Sequence, residues 1–150
     1  MPTYVVTTSS KRLAQEQKNR IAEDITQIHC DQTGAPKYFV QIIFNEVSRE
    51  NYFLGGKQLS EDNIYIHAHI RNGRTLSSKQ RIINDIVTRV ASASNADVSS
   101  IQTYITDIPA SQVAEFGTIL PEPGEEGEWE KQQSEVARAR MKRLSEPTQS

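Results

Sequence analysis

The sequence predicts an α+β domain of two tandem β-α-β units, with a four-stranded sheet carrying two helices on one face. Three observations lead there. Strand-like and helix-like hydrophobic periods alternate along most of the chain. Sliding the sequence against itself by 61 positions, without a gap, pairs Tyr4 with Tyr65, Lys18 with Lys79, Arg20 with Arg81, Ile21 with Ile82, Asp24 with Asp85, Ile25 with Ile86 and Gln41 with Gln102, so that strand falls on strand and helix on helix. Finally, 150 residues that are 36% hydrophobic and 24% charged describe one globular domain. A chain this long buries roughly 68–70% of its unfolded surface and needs no metal or disulfide staple.

The elements follow in order. Residues 4–8, rich in Val and Thr, read as a strand, and Ser9 or Ser10 offers a helix N-cap. A helix from about 13 to 31 carries Ile21, Ile25 and Ile28 at helical spacing, and Gly34 and Pro36 end it. Residues 38–47 form the second strand, and the run Tyr52-Phe53-Leu54-Gly55-Gly56 reads as a short hairpin or turn. Residues 64–70 are the third strand, a helix starting at Ser77 or Ser78 shows Ile82, Ile86 and Val90 on one face, and residues 101–105 are the fourth strand. Beyond Pro109 the pattern becomes irregular. Glu122, Glu125, Glu126, Glu128 and Glu130 then form an acidic block, and Arg138, Arg140, Lys142 and Arg143 a basic one. Their alternation predicts a solvated helix over about 129–144 with packing or oligomer-edge duties. The division is a duplicated domain over 1–130 and a charged helical tail over 131–150. Parallel strands within each unit require crossover helices, and right-handed crossovers place both on one face of the sheet. The opposite face is then bare, which predicts a symmetric oligomer.

Several function classes are excluded. A net charge of −2 argues against a nucleic-acid-binding protein. No apolar run approaches a membrane span, and the amino terminus lacks the basic and apolar regions of a secretory signal. The single cysteine, Cys30, fits a reducing compartment, so a cytoplasmic location is expected, and the thiol reads as inert. His67 and His69 alternate on one strand face without a third ligand at useful spacing, so no metal is expected.

The residues able to do chemistry are few. Pro2 becomes a free secondary amine if Met1 is removed, and an amine of that kind titrates near neutral pH. It would also serve simply to start a strand, where lacking an N–H costs little. Arg71 and Arg74, three apart across a glycine turn, can converge on one carboxylate. Tyr104, near the end of the fourth strand, can hold a carboxylate or water, and Glu115 can take a proton from water if partly desolvated. His29 stands on the first helix beside the polar loop Gln32-Thr33-Gly34.

Together, the Met1-Pro2 start, the tandem units, His29, Arg71-Asn72-Gly73-Arg74, Tyr104 and Glu115 resemble the tautomerase superfamily, in particular its branch similar to cis-3-chloroacrylic acid dehalogenase. The resemblance covers about residues 2–130. It is supported by Tyr52-Phe53-Leu54-Gly55-Gly56, Ile108-Pro109-Ala110 and the stretch from Leu120 to Trp129. It implies a homotrimer acting on a small carboxylic acid without metal or organic cofactor. Pro2 would be the catalytic amine, His29 would position substrate, Arg71 and Arg74 would clamp its carboxylate, and Tyr104 and Glu115 would hold and activate water. On that pattern Pro2 protonates C2 of a 3-haloacrylate, water adds at C3, and the halohydrin collapses to malonate semialdehyde. The sequence departs from the pattern at Ala35, where the dehalogenase carries a second hydroxyl residue, and at Phe39, where it has a smaller aliphatic one, while Thr33 is kept. Two other readings stand beside this one. One is keto-enol tautomerisation of a 2-keto acid such as phenylpyruvate, with neutral Pro2 as base. The other is a trimeric scaffold without chemistry, should Met1 be retained and the Pro2 nitrogen remain an amide.

Overall fold

The computed structural model describes residues 2–147; Met1, whose removal the proline chemistry requires, and the last three residues of the tail lie outside the described residues. The element order is β1 (Pro2–Ser9), α1 (Gln15–Thr33), β2 (Gln41–Val47), β3 (Phe53–Leu54), β4 (Lys57–Gln58), β5 (Ile64–Arg71), α2 (Leu76–Ser94), β6 (Ile101–Ile108), β7 (Ala114–Glu115), β8 (Thr118–Ile119), α3 (Glu126–Lys131) and α4 (Glu135–Ser145). The main sheet has the order β2-β1-β5-β6. Strands are parallel within each unit, and the units meet through antiparallel β1 and β5. Both long helices pack on one face, where Tyr4, Val6, Ile64, Ile66, Ala68 and Ile70 meet Ile21, Ile25, Ile28, Ile82, Ile86 and Val90.

The 61-residue repeat runs deeper than the sequence identities. The bounds of α1 and α2 differ by that offset, and so do those of the β3-β4 and β7-β8 hairpins. Gly55 and Gly56 turn the first hairpin at positive φ, and Phe116 and Gly117 turn the second, as two-residue hairpin loops require. The ion pairs repeat as well: Lys18–Glu46 at 3.6 Å returns as Lys79–Asp107 at 2.7 Å. The register breaks at one strand. β5 lies one residue further along than the offset from β1 demands, and a one-residue shift in a strand sends a side chain to the opposite face. Tyr4 therefore points into the helical core, whereas Tyr65, its partner by identity, lies on the uncovered face with its ring 5.2 Å from Tyr104.

Some local expectations are corrected. Neither Ser9 nor Ser10 caps α1: β1 continues through Ser9, paired with Val47, and a turn with Lys11 at φ +60° intervenes. The helix instead starts at Ala14, whose N–H donates to Gln17 Oε1 at 2.9 Å. In α2 the cap is Thr75, whose hydroxyl accepts from the Ser78 N–H. Tyr38 and Phe39 leave the second strand for a single 3₁₀ turn, because their rings find partners elsewhere: Phe39 lies 5.6 Å from Trp129. The helix expected over 129–144 is two helices, with Ser134 capping the second through Ala137 N–H. It is also less solvated than its charges suggest, since Trp129 and Met141 are buried with Phe39, Ala110 and Leu120 in a second small core.

Candidate functional site

β1 and β2 begin, and β5 and β6 end, at the same end of the sheet. This topology makes that end the meeting place for the chemistry-bearing residues. Pro2, buried, opens β1 opposite Ile70, and the next residue on β5, Arg71, lies opposite Ile108. The turn Arg71-Asn72-Gly73-Arg74 leaves the sheet here, pinned by the Asn72 N–H to Ile108 C=O bond of 2.9 Å. Gly73 adopts φ +98°, and a Cβ there would stand 2.9 Å from Pro123 Cγ, so the position requires glycine twice over.

α1 delivers His29 from its last turns. The side chain is only 2% exposed, and its Nδ1 lies 2.8 Å from the Tyr4 hydroxyl in a buried contact. Burial first, then the positive charges of Arg74, the amino terminus and Arg71, push the imidazole pKa down to about 3. His29 is therefore neutral at any working pH. Burial also raises the Tyr4 hydroxyl well above its ordinary value, so that contact joins two neutral groups. Arg74, half-buried, donates from Nη1 to Thr33 C=O at 3.2 Å, the carbonyl end of the same helix. Burial and the neighbouring Arg71 lower its guanidinium pKa. Thr33 and Ala35 shape the loop between them: the Thr33 hydroxyl donates to His29 C=O and accepts from Ala35 N–H.

Glu115 comes from the second hairpin, opposite Thr118. Burial raises its pKa above the ordinary carboxylate value, against the opposing pull of the amino-terminal charge and of Arg71. A half-buried carboxylate whose pKa is raised by burial is suited to passing protons. An open groove of about 1090 Å³ is lined by Phe39, Gln41, Ile108, Glu115 and Phe116 together with residues of α4; Pro2, His29, Arg71 and Arg74 are not among its lining residues. Phe39 thus lines the groove as well as the second core.

The structure gathers Pro2, His29, Arg71, Arg74 and Glu115 at this end. It does not bring Tyr104 there. Because β6 runs on to Ile108, Tyr104 is a mid-strand residue, opposite His67 and 57% exposed on the bare face. His67 and His69 share that face with ring centroids 4.2 Å apart, and His67 Nε2 lies 2.8 Å from the Thr106 hydroxyl. Cys30 is half-buried on α1 and burial raises its thiol pKa, in keeping with inertness. No helix among the described residues is long and apolar enough to cross a membrane.

Sequence reasoning missed two residues of this site. Tyr4 was read only as a strand residue, although its place two positions from Pro2 on the core-facing side was a usable signal. Glu126 was read as one of a solvated acidic block, yet its carboxylate accepts a hydrogen bond from Arg71 Nη2. Nothing in the local pattern marks that pairing, which joins residues 55 apart.

Comparison with known proteins agrees with this geometry. The family model described as "Putative oxalocrotonate tautomerase enzyme" matches residues 1–135. A "Probable tautomerase" of Bacillus cereus is 34% identical over 58 residues, spanning 39% of this chain and 95% of that protein, so the relative is about one β-α-β unit long. Among solved structures, a member of the cis-3-chloroacrylic acid dehalogenase (cis-CaaD) family superposes with TM-score 0.89 at 32% identity, covering 94% of this chain and 99% of that one. A wild-type fused 4-OT, described as an asymmetric trimer, superposes with TM-score 0.73 at 28% identity, covering 78% and 94%. A duplicated β-α-β chain that starts its first strand with proline and matches the family model over nine-tenths of its length belongs to the tautomerase superfamily.

Proposed function

We propose that the chain is a cofactor-independent enzyme that uses Pro2, freed by removal of Met1, to add water to a small cis-3-substituted acrylate. The observation that carries the reading is the half-buried Glu115, its carboxylate pKa raised by burial against the pull of Arg71, at the end of the sheet where Pro2 opens β1. Arg71 and Arg74 hold the substrate carboxylate. In the tautomer this reading requires, the Tyr4 hydroxyl donates to His29 Nδ1 and Nε2–H is left as a neutral donor for the same carboxylate. Protonated Pro2 gives its proton to C2 while water, deprotonated by Glu115, adds to C3. The product X–CH(OH)–CH2–COO⁻ then loses HX to give malonate semialdehyde. The guanidiniums stabilise the charge that builds on the carboxylate during addition.

The assembly belongs to the same proposal. The bare sheet face and the trimeric fused 4-OT relative support a homotrimer, in which Tyr104 of one copy reaches the Pro2 end of the next. Purified protein is expected to release halide and malonate semialdehyde from cis-3-chloroacrylate faster than from the trans isomer; no halide from either sinks the reading. Trimers reassembled from a mixture of Pro2→Ala and Tyr104→Phe chains are expected to regain activity that neither variant has alone. A site contained within one chain would regain none, because no chain in the mixture carries both residues.

A second reading is favoured by the names of the relatives, which are tautomerases. In it Pro2 is neutral and moves a proton between carbon and oxygen of a 2-keto acid held by the same arginines. The two readings demand opposite charge states of one nitrogen.

A further inference from the structure

Arg71 is the most deeply buried cation of the site, at 7% exposure, and it is already engaged from behind. Nη1 donates to Pro121 C=O at 2.6 Å, and Nη2 donates to the Glu126 carboxylate. The other carboxylate oxygen of Glu126 accepts from Gly124 N–H at 2.8 Å. Burial works against the charged form of Glu126, yet the bonds from Arg71 and the backbone keep its pKa below the ordinary value. The segment that carries Glu126 is anchored at both sides: Leu120 N–H bonds Val113 C=O, and the Trp129 indole donates to Ile119 C=O. Pro123 lies against Gly73 itself. Residues 120–126 therefore form a fixed strap behind the arginine turn, with a carboxylate held at its end.

The consequence lies in the charge of the site. Two guanidiniums close enough to lower the pKa of Arg74 would, by themselves, favour a dianion. Glu126 offsets one of them through its bond with Arg71. It does not exhaust Arg71, because a guanidinium has five N–H donors and only two are used here. Its other N–H groups make no bond among those described, while the local charge falls by one. Glu115 adds a further negative influence across the site.

We propose that Glu126 is a positioning residue that aims Arg71 and sets the site's selectivity for a monocarboxylate over a dicarboxylate of the same shape. This inference rests on the carboxylate-clamping role given to Arg71 and Arg74 above. Isocrotonate and maleate make the matched probes: both are cis-3-substituted acrylates, one with a methyl group at C3 and the other with a second carboxylate. Calorimetric titration of the intact protein, at a pH where maleate is a dianion, is expected to show isocrotonate binding about tenfold or more tightly than maleate. Glu126→Gln is expected to shift that ratio toward maleate by about tenfold, whereas Glu126→Asp, which keeps the charge, leaves the preference for isocrotonate. A strap that merely supported the fold would weaken both acids alike and leave the ratio unchanged. An unchanged ratio in Glu126→Gln, or equal binding of the two acids by the unaltered protein, overturns the proposal. Glu126→Ala removes the same charge and makes the same comparison should Glu126→Gln fail to fold, with the same shift toward maleate expected and an unchanged ratio again overturning the proposal. If neither acid binds the unaltered protein, it is the carboxylate clamp itself that fails.

Discussion

Replacing Pro2 with Ala is expected to lower turnover of cis-3-chloroacrylate by about 10²–10⁴-fold, the range of a single acid-base group, while leaving the fold intact. Pro2 sits at the first position of β1, where its missing N–H costs the ladder nothing, and alanine keeps the strand. What changes is the amine. Alanine leaves a primary nitrogen with a freely rotating N-terminal bond in place of a secondary amine held by its ring, so the proton is delivered with a different basicity and aim. The loss should fall on kcat more than on KM, because the carboxylate clamp is untouched. Halide release measured beside thermal melting separates the two effects. Turnover within about threefold of the unaltered protein, below any single acid-base contribution, would remove Pro2 from the chemistry.

Acid should destabilise the protein through His29 over a defined window. Its pKa in the fold is about 3 against an ordinary 6.5, because burial first, and then the neighbouring positive charges, disfavour the protonated ring. Above pH 6.5 neither folded nor unfolded chain binds the proton, and the residue adds no pH dependence. As pH falls below 6.5 the unfolded chain takes up a proton that the fold refuses, so stability drops, and the loss is complete near pH 3. At 1.36 kcal/mol per pKa unit the full effect is about 4–5 kcal/mol, of which about 2 kcal/mol falls between pH 6.5 and 5. Most carboxylates are still ionised in that upper part of the window, while His67, whose pKa burial also lowers, adds a loss of the same sign. His29→Asn retains an acceptor toward the Tyr4 hydroxyl and carries no titratable ring. Its denaturant midpoint should fall less steeply between pH 6.5 and 5 than that of the unaltered protein, which loses both contributions. Parallel curves would contradict the buried neutral imidazole.

Much of this was legible in the sequence, for a physical reason. Both long helices and the four strands of the main sheet follow from hydrophobic period and from a repeat whose offset fixes where strand and helix recur, whereas the strand order and the antiparallel meeting of β1 and β5 come from the structure. The second hairpin was missed, in the stretch beyond Pro109 that reads as irregular: adding 61 to the Phe53-Leu54 strand lands on Ala114-Glu115, but its own residues carry no Gly-Gly signal, only Phe116-Gly117. Less accessible was whatever depends on partners distant in the chain. Phe39 and Trp129 abandon a strand and a solvated face for each other, and Arg71 finds Glu126 through a strap that local pattern marks only as acidic. The sideways shift of β5 was invisible for the same reason, since identity at Tyr4 and Tyr65 says nothing about which face each occupies. Tyr104 illustrates the limit of reading one chain: its strand was legible, but it lies exposed on the bare face away from the Pro2 end, and only in the proposed trimer would it reach a site.

The central claim is that Pro2 is an acid in a site built around a monocarboxylate, and the nitrogen can be observed directly. Protein labelled with ¹⁵N at proline, with its amino terminus verified as Pro2 by intact mass, should give an amino-terminal resonance that remains in its protonated position through pH 7. A nitrogen that is already neutral at pH 7 would contradict acid catalysis and transfer the site to the tautomerase reading, and a retained Met1 on the native protein would contradict both.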